Sequence, residues 1–276
     1  MKSRQSLRRQ AILLCGMLIA GCGGGGTGSS STTPSSPSPT PTIPVSSACT
    51  ALGQTAAAGT AIVNGADCST ANSPIVLLNL KGSDGLPSGS CTGTVIAPRA
   101  ILTAAHCLPA TTASVLVFLG TGPQQTAQSF TPHPGWRESN STALDVGVVL
   151  MPSDIGRPPV PLLLSRDARV GETAVIAGWG KDATGVAATL RAGVVALTAV
   201  TSLTLQSALR TSASSVCQGD SGGPILLSEG GAWAIGGVIS ANETLFCSFG
   251  DNFYANIRNP DISSFILGRV PDAARR

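Results

Sequence analysis

An all-β fold is predicted from three features of the chain. Glycine is abundant, at 33 of 276 residues, and aromatic residues are scarce, as suits a chain with many turns. No long stretch repeats its apolar residues at helical spacing. Short β-rich runs at 115–119, 146–150 and 174–177 are bounded by turn residues and read as strands. The length is enough to bury one good core or those of two small lobes.

The first residues read as a targeting segment rather than as part of that fold. Lys2, Arg4, Arg8 and Arg9 precede a short apolar run at 11–20, the layout of a secretory signal. The run is about half the ~20 residues a membrane-spanning helix needs. The net charge is +3, and removing these four cations leaves −1, so no basic face for nucleic acid is expected. Ile19-Ala20-Gly21-Cys22 resembles a bacterial lipobox, which predicts a lipoprotein signal peptide over 1–21 and lipidation of Cys22. Residues 22–48 are rich in Gly, Ser, Thr and Pro, bury too little apolar surface to offset ordering entropy, and read as a disordered tether. The expected location is exported, lipid-anchored on the bacterial cell envelope, with acyl chains rather than a protein span supplying the affinity.

Beyond Cys15 and Cys22, six cysteines remain: Cys49, Cys68, Cys91, Cys107, Cys217 and Cys247. An even set in an exported chain suggests three disulfides, with fifteen pairings open on spacing. No CxxC pair is present and there are two histidines, so no metal site and no cofactor are expected.

Two strings carry the chemistry: Thr103-Ala104-Ala105-His106-Cys107, and Cys217-Gln218-Gly219-Asp220-Ser221-Gly222-Gly223-Pro224. Serine is a weak nucleophile until a base takes its proton, and that base must be oriented by a third group. Glycines beside the serine allow a tight turn that presents N–H groups to an oxyanion. The second string also fits the G-x-S-x-G elbow of α/β-hydrolases, whose order is Ser, acid, His. Here His106 and His133 both precede Ser221, which leaves the order His, acid, Ser. The acids between His106 and Ser221 are Glu138, Asp145, Asp154, Asp167, Glu172, Asp182 and Asp220. Asp145 stands out because it lies in an apolar run, where a carboxylate is costly unless hydrogen-bonded. His133, between two prolines, reads as a loop residue.

These strings, with Ile62-Val63-Asn64-Gly65, His133-Pro134-Gly135-Trp136, Gly178-Trp179-Gly180 and Gly237-Val238-Ile239-Ser240, resemble the trypsin/chymotrypsin family over 62–270. The resemblance implies two six-stranded antiparallel β-barrels, at about 62–160 and 161–259, and a C-terminal helix at about 260–270. The peptidase domain would span 62–276, after a propeptide at 49–61. It implies a serine endopeptidase acting on proteins or peptides, with His106 as base, Asp145 as its orienting acid and Ser221 as nucleophile. Gly219 and Ser221 would supply the oxyanion hole. Cleavage before Ile62 would free an ammonium to pair with Asp220. Disulfides Cys91–Cys107 and Cys217–Cys247 are implied, which leaves Cys49 with Cys68. Ser215 would stand at the base of the substrate pocket, with Ser240, Asn242 and Asn252 around it. A neutral Ser215 points to small or medium uncharged side chains, while Asp251 would restore a basic preference if it took the place of Asn252. The family's calcium loop is not supported, since no acid occurs between Cys107 and Glu138. The alternative from another class is a catalytically silent or latent binding protein on the same fold.

Overall fold

The computed structural model describes residues 44–276 apart from 61, 141, 183, 186, 188, 209–213, 243–246 and 248–249. The expected signal peptide, Cys22 and most of the expected tether lie outside the described residues. The chain there is mostly β-strand, in two antiparallel sheets, with one α-helix.

The first sheet holds β3 (Ile75–Gly82), β4 (Pro87–Ala97), β5 (Ala100–Thr103), β6 (Thr112–Phe118), β8 (Ser129–Pro132) and β9 (Gly147–Leu150), plus the two-residue β7 (Gln125–Thr126). Bonds from the Ala127 N–H to the Val115 carbonyl and from the Gln128 N–H to the Leu150 carbonyl curl its two ends together. The second sheet holds β10 (Thr173–Gly178), β11 (Arg191–Val200), β12 (Thr204–Ala208), β13 (Pro224–Glu229), β14 (Ala232–Asn242) and β15 (Asp251–Asn256), closed by the β11–β12 pairing. Each expected six-stranded barrel is therefore present. The hairpin of β1 (Ala56–Thr60) and β2 (Ala66–Cys68) adds to the second sheet through β2 against β11. The expected start of the first barrel near residue 62 is thus displaced to Ile75, because residues 66–68 take their backbone partners from β11.

Strand β3 alternates little: its first four residues are all buried, as is the inner half of β4, since these strands pack both within their barrel and against its neighbour. Trp179 fastens the two lobes. Its ring meets Phe118 edge-on at 5.9 Å, and its Nε1–H donates to the Ile75 carbonyl at 3.2 Å. The helix α1 (Pro260–Arg269) starts where Asn259 accepts from the Asp261 and Ile262 amides and Pro260 presets the first turn. Its Ile262 and Ile266 are fully buried.

The end of the expected tether is also revised. Residues Val45–Leu52 form a 3₁₀ helix, and Ala48, Cys49 and Leu52 are buried in the main core. Disulfides join Cys49 to Cys68, Cys91 to Cys107 and Cys217 to Cys247, as implied.

Candidate active site

His106 sits on the 3₁₀ turn Ala105–Cys107, directly after β5. Asp145 lies two residues before β9 rather than inside a strand, in a tight turn closed by the Val146 N–H on the Leu144 carbonyl at 2.8 Å. Leu144 adopts φ +56° there, a left-handed conformation of the kind that costs about 1–3 kcal/mol and persists where the surroundings enforce it. The result is a fully buried carboxylate aimed at His106.

Three donors satisfy that carboxylate. Asp145 Oδ2 accepts from His106 Nδ1 at 2.7 Å and from Ser240 Oγ at 2.5 Å, while Oδ1 accepts from the His106 backbone N–H at 2.9 Å. Burial without such partners would be costly. A proton on Nδ1 leaves the Nε2 lone pair available as a base. The imidazole remains 30% exposed, toward the cleft.

Ser221 approaches through the Cys91–Cys107 disulfide. The Ser221 carbonyl lies 3.7 Å from Cys107 Sγ, and His106 Nε2 lies 3.9 Å from the same sulfur. The Thr92 N–H donates to the Ser221 carbonyl at 2.8 Å. Among the described residues no hydrogen bond joins His106 Nε2 to Ser221 Oγ; such contacts often tighten only when substrate arrives.

The loop carrying Ser221 is tied down on its far side. Thr92 Oγ1 donates to the Gly219 carbonyl at 2.8 Å and accepts from the Trp179 N–H at 3.0 Å. Gly219 has φ +99°, and neither its amide nor that of Ser221 donates a hydrogen bond among the described residues. Both N–H groups are therefore available to an oxyanion. The flanking glycines are required by space. A Cβ on Gly222 would lie 2.1 Å from Thr103 Oγ1, and one on Gly223 would lie 2.2 Å from the Ala177 carbonyl.

Asp220 points away from the cleft and is buried. Its Oδ1 accepts from the Gly180 N–H and its Oδ2 from the Cys217 N–H, both at 2.8 Å. Burial pushes its carboxyl up to about 6, opposed by those two amides and by the charge of Arg191. In this continuous chain the Ile62 nitrogen is part of a peptide bond, so the expected ammonium pair with Asp220 is not formed. The Ile62 side chain already lies in the core of the second barrel.

The cleft beside Ser221 has a volume of about 170 Å³ and is lined by Val216, Gln218, Ile239, Ser240 and Asn242 among others, none of the described ones charged. Ser215 and Asn252 do not line it; they lie fully buried behind it. Asn252 Oδ1 accepts from Ser215 Oγ at 3.1 Å and from Asn242 Nδ2 at 2.8 Å. Alternation along β15 turns Asp251 to the opposite face, so Asn252 and not Asp251 meets Ser215. Asn252 Nδ2 continues to Ser207 Oγ at 3.4 Å, which pairs with Tyr254 at 2.7 Å.

His133 is the loop residue anticipated, though largely buried. Its Nδ1 accepts from the Gly135 N–H at 3.0 Å and its ring meets Phe265 of α1 at 4.8 Å. Sequence reasoning missed Thr92 and Arg191. Only the neighbourhood of Cys91 hinted at the first, and nothing local distinguishes the second.

Comparison with known proteins covers this same region. The model of the family described as Trypsin matches residues 62–260. Human kallikrein-11 is 31% identical over 54% of this chain and 61% of its own length. Trypsin beta of Drosophila erecta is 27% identical over 66% of this chain and 79% of its own length. Trypsin alpha of Drosophila melanogaster is 28% identical over 50% of this chain and 64% of its own length. The chain thus spans less than two thirds of two of these relatives. A solved structure of an HL collagenase covers 76% of this chain and 98% of its own, with TM-score 0.64 at 20% identity, which shows the likeness of fold.

Proposed function

Because the chain belongs to the trypsin family, we propose that it is a serine endopeptidase using His106, Asp145 and Ser221. The observation that carries this reading is the buried Asp145 carboxylate, which accepts from both the ring Nδ1 and the backbone amide of His106. A residue fixed at two points cannot change tautomer or swing away without leaving a buried charge unpaired.

In this reading Ser221 Oγ attacks the scissile carbonyl carbon while His106 Nε2 takes its proton. The oxyanion is received by the Gly219 and Ser221 N–H groups. The C–N bond then breaks, the amine leaves with the proton from Nε2, and an acyl ester remains on Ser221. Water, deprotonated by the same nitrogen, hydrolyses that ester and returns the proton to Ser221. Asp145 stabilises the imidazolium in both halves and is not itself protonated.

The substrate is a protein or peptide with a small or medium uncharged side chain before the cut bond. The support is the Ser215–Asn252–Asn242 network behind a cleft with no charged lining among the described residues. Cleavage before Ile62 would free an ammonium for Asp220. The three disulfides suit an exported protein, and no helix among the described residues is long and apolar enough to cross a membrane. Anchoring through a lipid on Cys22 at a bacterial envelope completes the reading.

Fluorophosphonate labelling of the full-length chain, with sequencing of its N-terminus, tests it. Labelling at Ser221 that is lost in Ser221→Ala and His106→Ala is expected. A chain beginning at Ile62 that does not label would instead be the silent binding protein.

A further inference from the structure

A buried carboxylate needs compensation, and in the continuous chain Asp220 receives none from Ile62. It is nevertheless held on the Gly180 and Cys217 amides, behind the loop that offers the Gly219 and Ser221 N–H groups. The segment after the expected cut is also already docked. The Ser215 N–H donates to the Val63 carbonyl and Ser214 Oγ to the Asn64 carbonyl, both at 3.1 Å.

A cation whose charge acts on Asp220 is Arg191, the first residue of β11 and itself buried. Among the described residues its guanidinium meets acceptors on three sides. Nη1 donates to the Gly180 carbonyl at 3.0 Å, Nε to Asp67 at 3.2 Å and Nη2 to Asp182 at 3.2 Å. Gly180 therefore meets Arg191 with its carbonyl and Asp220 with its N–H. Asp67 belongs to β2, beside the Cys49–Cys68 bridge, so the same guanidinium also grips the hairpin that contains the expected cut. A planar fork reaching three acceptors in fixed directions is a task for arginine rather than lysine.

We infer that Arg191 is a positioning residue that holds the Asp220 loop in working order in the continuous chain, so that the protein is active before any cut at Ile62. The inference rests on the peptidase reading above. Cleavage then adds a second cation, the Ile62 ammonium, beside a carboxylate that already has its loop in place. The dependence on Arg191 is strongest before the cut and weaker after it.

The test compares two forms of the full-length chain: one continuous, the other carrying Asp-Asp-Asp-Asp-Lys in place of residues 57–61 and cut by enteropeptidase before Ile62. The rate of fluorophosphonate labelling at Ser221 is measured in each, with intact mass confirming which form is labelled. The continuous chain is expected to label. Arg191→Gln should slow the continuous form by about thirtyfold or more, because it removes the guanidinium donor to the Gly180 carbonyl and leaves Asp67 and Asp182 without their cation. It should slow the cut form by about threefold or less. Arg191→Lys and Asp67→Asn should fall between, and they decide the matter if Arg191→Gln does not fold. Equal losses in the two forms would reduce Arg191 to a structural residue and overturn the inference, as would a continuous chain that stays unlabelled while the cut form labels. Failure of both forms to label would instead overturn the peptidase reading.

Discussion

Ser240 and Asn252 are the residues whose side-chain chemistry is most open to test. Ser240 Oγ supplies one of the three donors that hold the Asp145 carboxylate. A hydrogen bond to a charged group is worth about 1.5–3 kcal/mol, so Ser240→Ala should lower kcat/KM by about 10- to 100-fold, with most of the loss in kcat. Asp145→Asn reverses the tautomer that His106 prefers and should cost on the order of 10⁴ in kcat. Steady-state kinetics on one peptide substrate ranks the two, and an Asp145→Asn enzyme as active as Ser240→Ala would remove Asp145 from the triad. Asn252 differs in place, since its buried amide bonds Asn242 of the cleft lining and Ser215, which makes it the proposed plug behind the cleft. Asn252→Gly should deepen the pocket and raise kcat/KM for larger uncharged side chains relative to alanine. A peptide-library digest with an unchanged profile would show that the plug does not set specificity.

Residues of this kind were unequally legible in the sequence. His106, Asp145 and Ser221 stood out because chain order excludes other arrangements and only one acid lies in an apolar run. Asn252 could not be separated from Asp251, because a one-residue slip along a strand exchanges its two faces; only the pairing of Asn242 with Asn252 across β14 and β15 decides it. Thr92 and Arg191 were not legible at all. Their partners lie 127 and 124 residues away in the chain, at Gly219 and Asp67, and no local pattern encodes a hydrogen bond between residues so far apart in sequence.

At the scale of the elements, the glycines of Gly178-Trp179-Gly180 explain why this string accompanies the loop of Asp220 and Ser221. A Cβ on Gly178 would stand 2.1 Å from Asp220 Oδ1, and one on Gly180 would stand 2.6 Å from the Asp220 backbone nitrogen. The end of β10 is therefore the surface on which the Asp220 loop lies, and Trp179 between the glycines ties that surface to β3. Gly178→Ala should push Asp220 off its amide donors and lower labelling of Ser221 by about 100-fold, a misplacement effect of the size expected when a group is shifted by an ångström. Gly268, near the end of α1, is the opposite case, with nothing within 4 Å of a built Cβ and no left-handed backbone. Gly268→Ala should stabilise the protein by about 0.5–1 kcal/mol, because a helical glycine loses more freedom on folding. Thermal unfolding of both variants checks the contrast. A Gly268→Ala protein less stable than its parent would mean that the last turn of α1 does not need helical backbone.

At the scale of the whole molecule, the charge on Asp220 couples folding to pH and to cleavage. Its carboxyl is raised from 3.8 to about 6, chiefly by burial, against the amides of Cys217 and Gly180 and the charge of Arg191; the buried Tyr254 hydroxyl also feels it. The fold therefore favours the protonated acid. A group raised on folding contributes stability that is present below its unfolded value and is lost as pH rises through its folded one. The continuous chain should lose about 3 kcal/mol from this group between roughly pH 4 and pH 7. The Ile62 ammonium, once freed, would stabilise the ionised acid, lower its pKa and remove most of that loss. The cut chain should also keep residues 44–61 attached. The Cys49–Cys68 bridge spans the cut and joins the two pieces covalently, and Ala48, Cys49 and Leu52 lie in the core. Both consequences can be read on Ser221→Ala protein, which does not digest itself. Denaturant unfolding from pH 4 to 8 should give a falling stability for the continuous chain, a flatter one for the cut chain, and no difference between the two in an Asp220→Asn background. Gels of the cut chain should separate the N-terminal segment only after reduction. Parallel pH slopes in cut and continuous protein would mean that Ile62 never reaches Asp220, and the balance of charge around that loop would then rest on Arg191 in both forms.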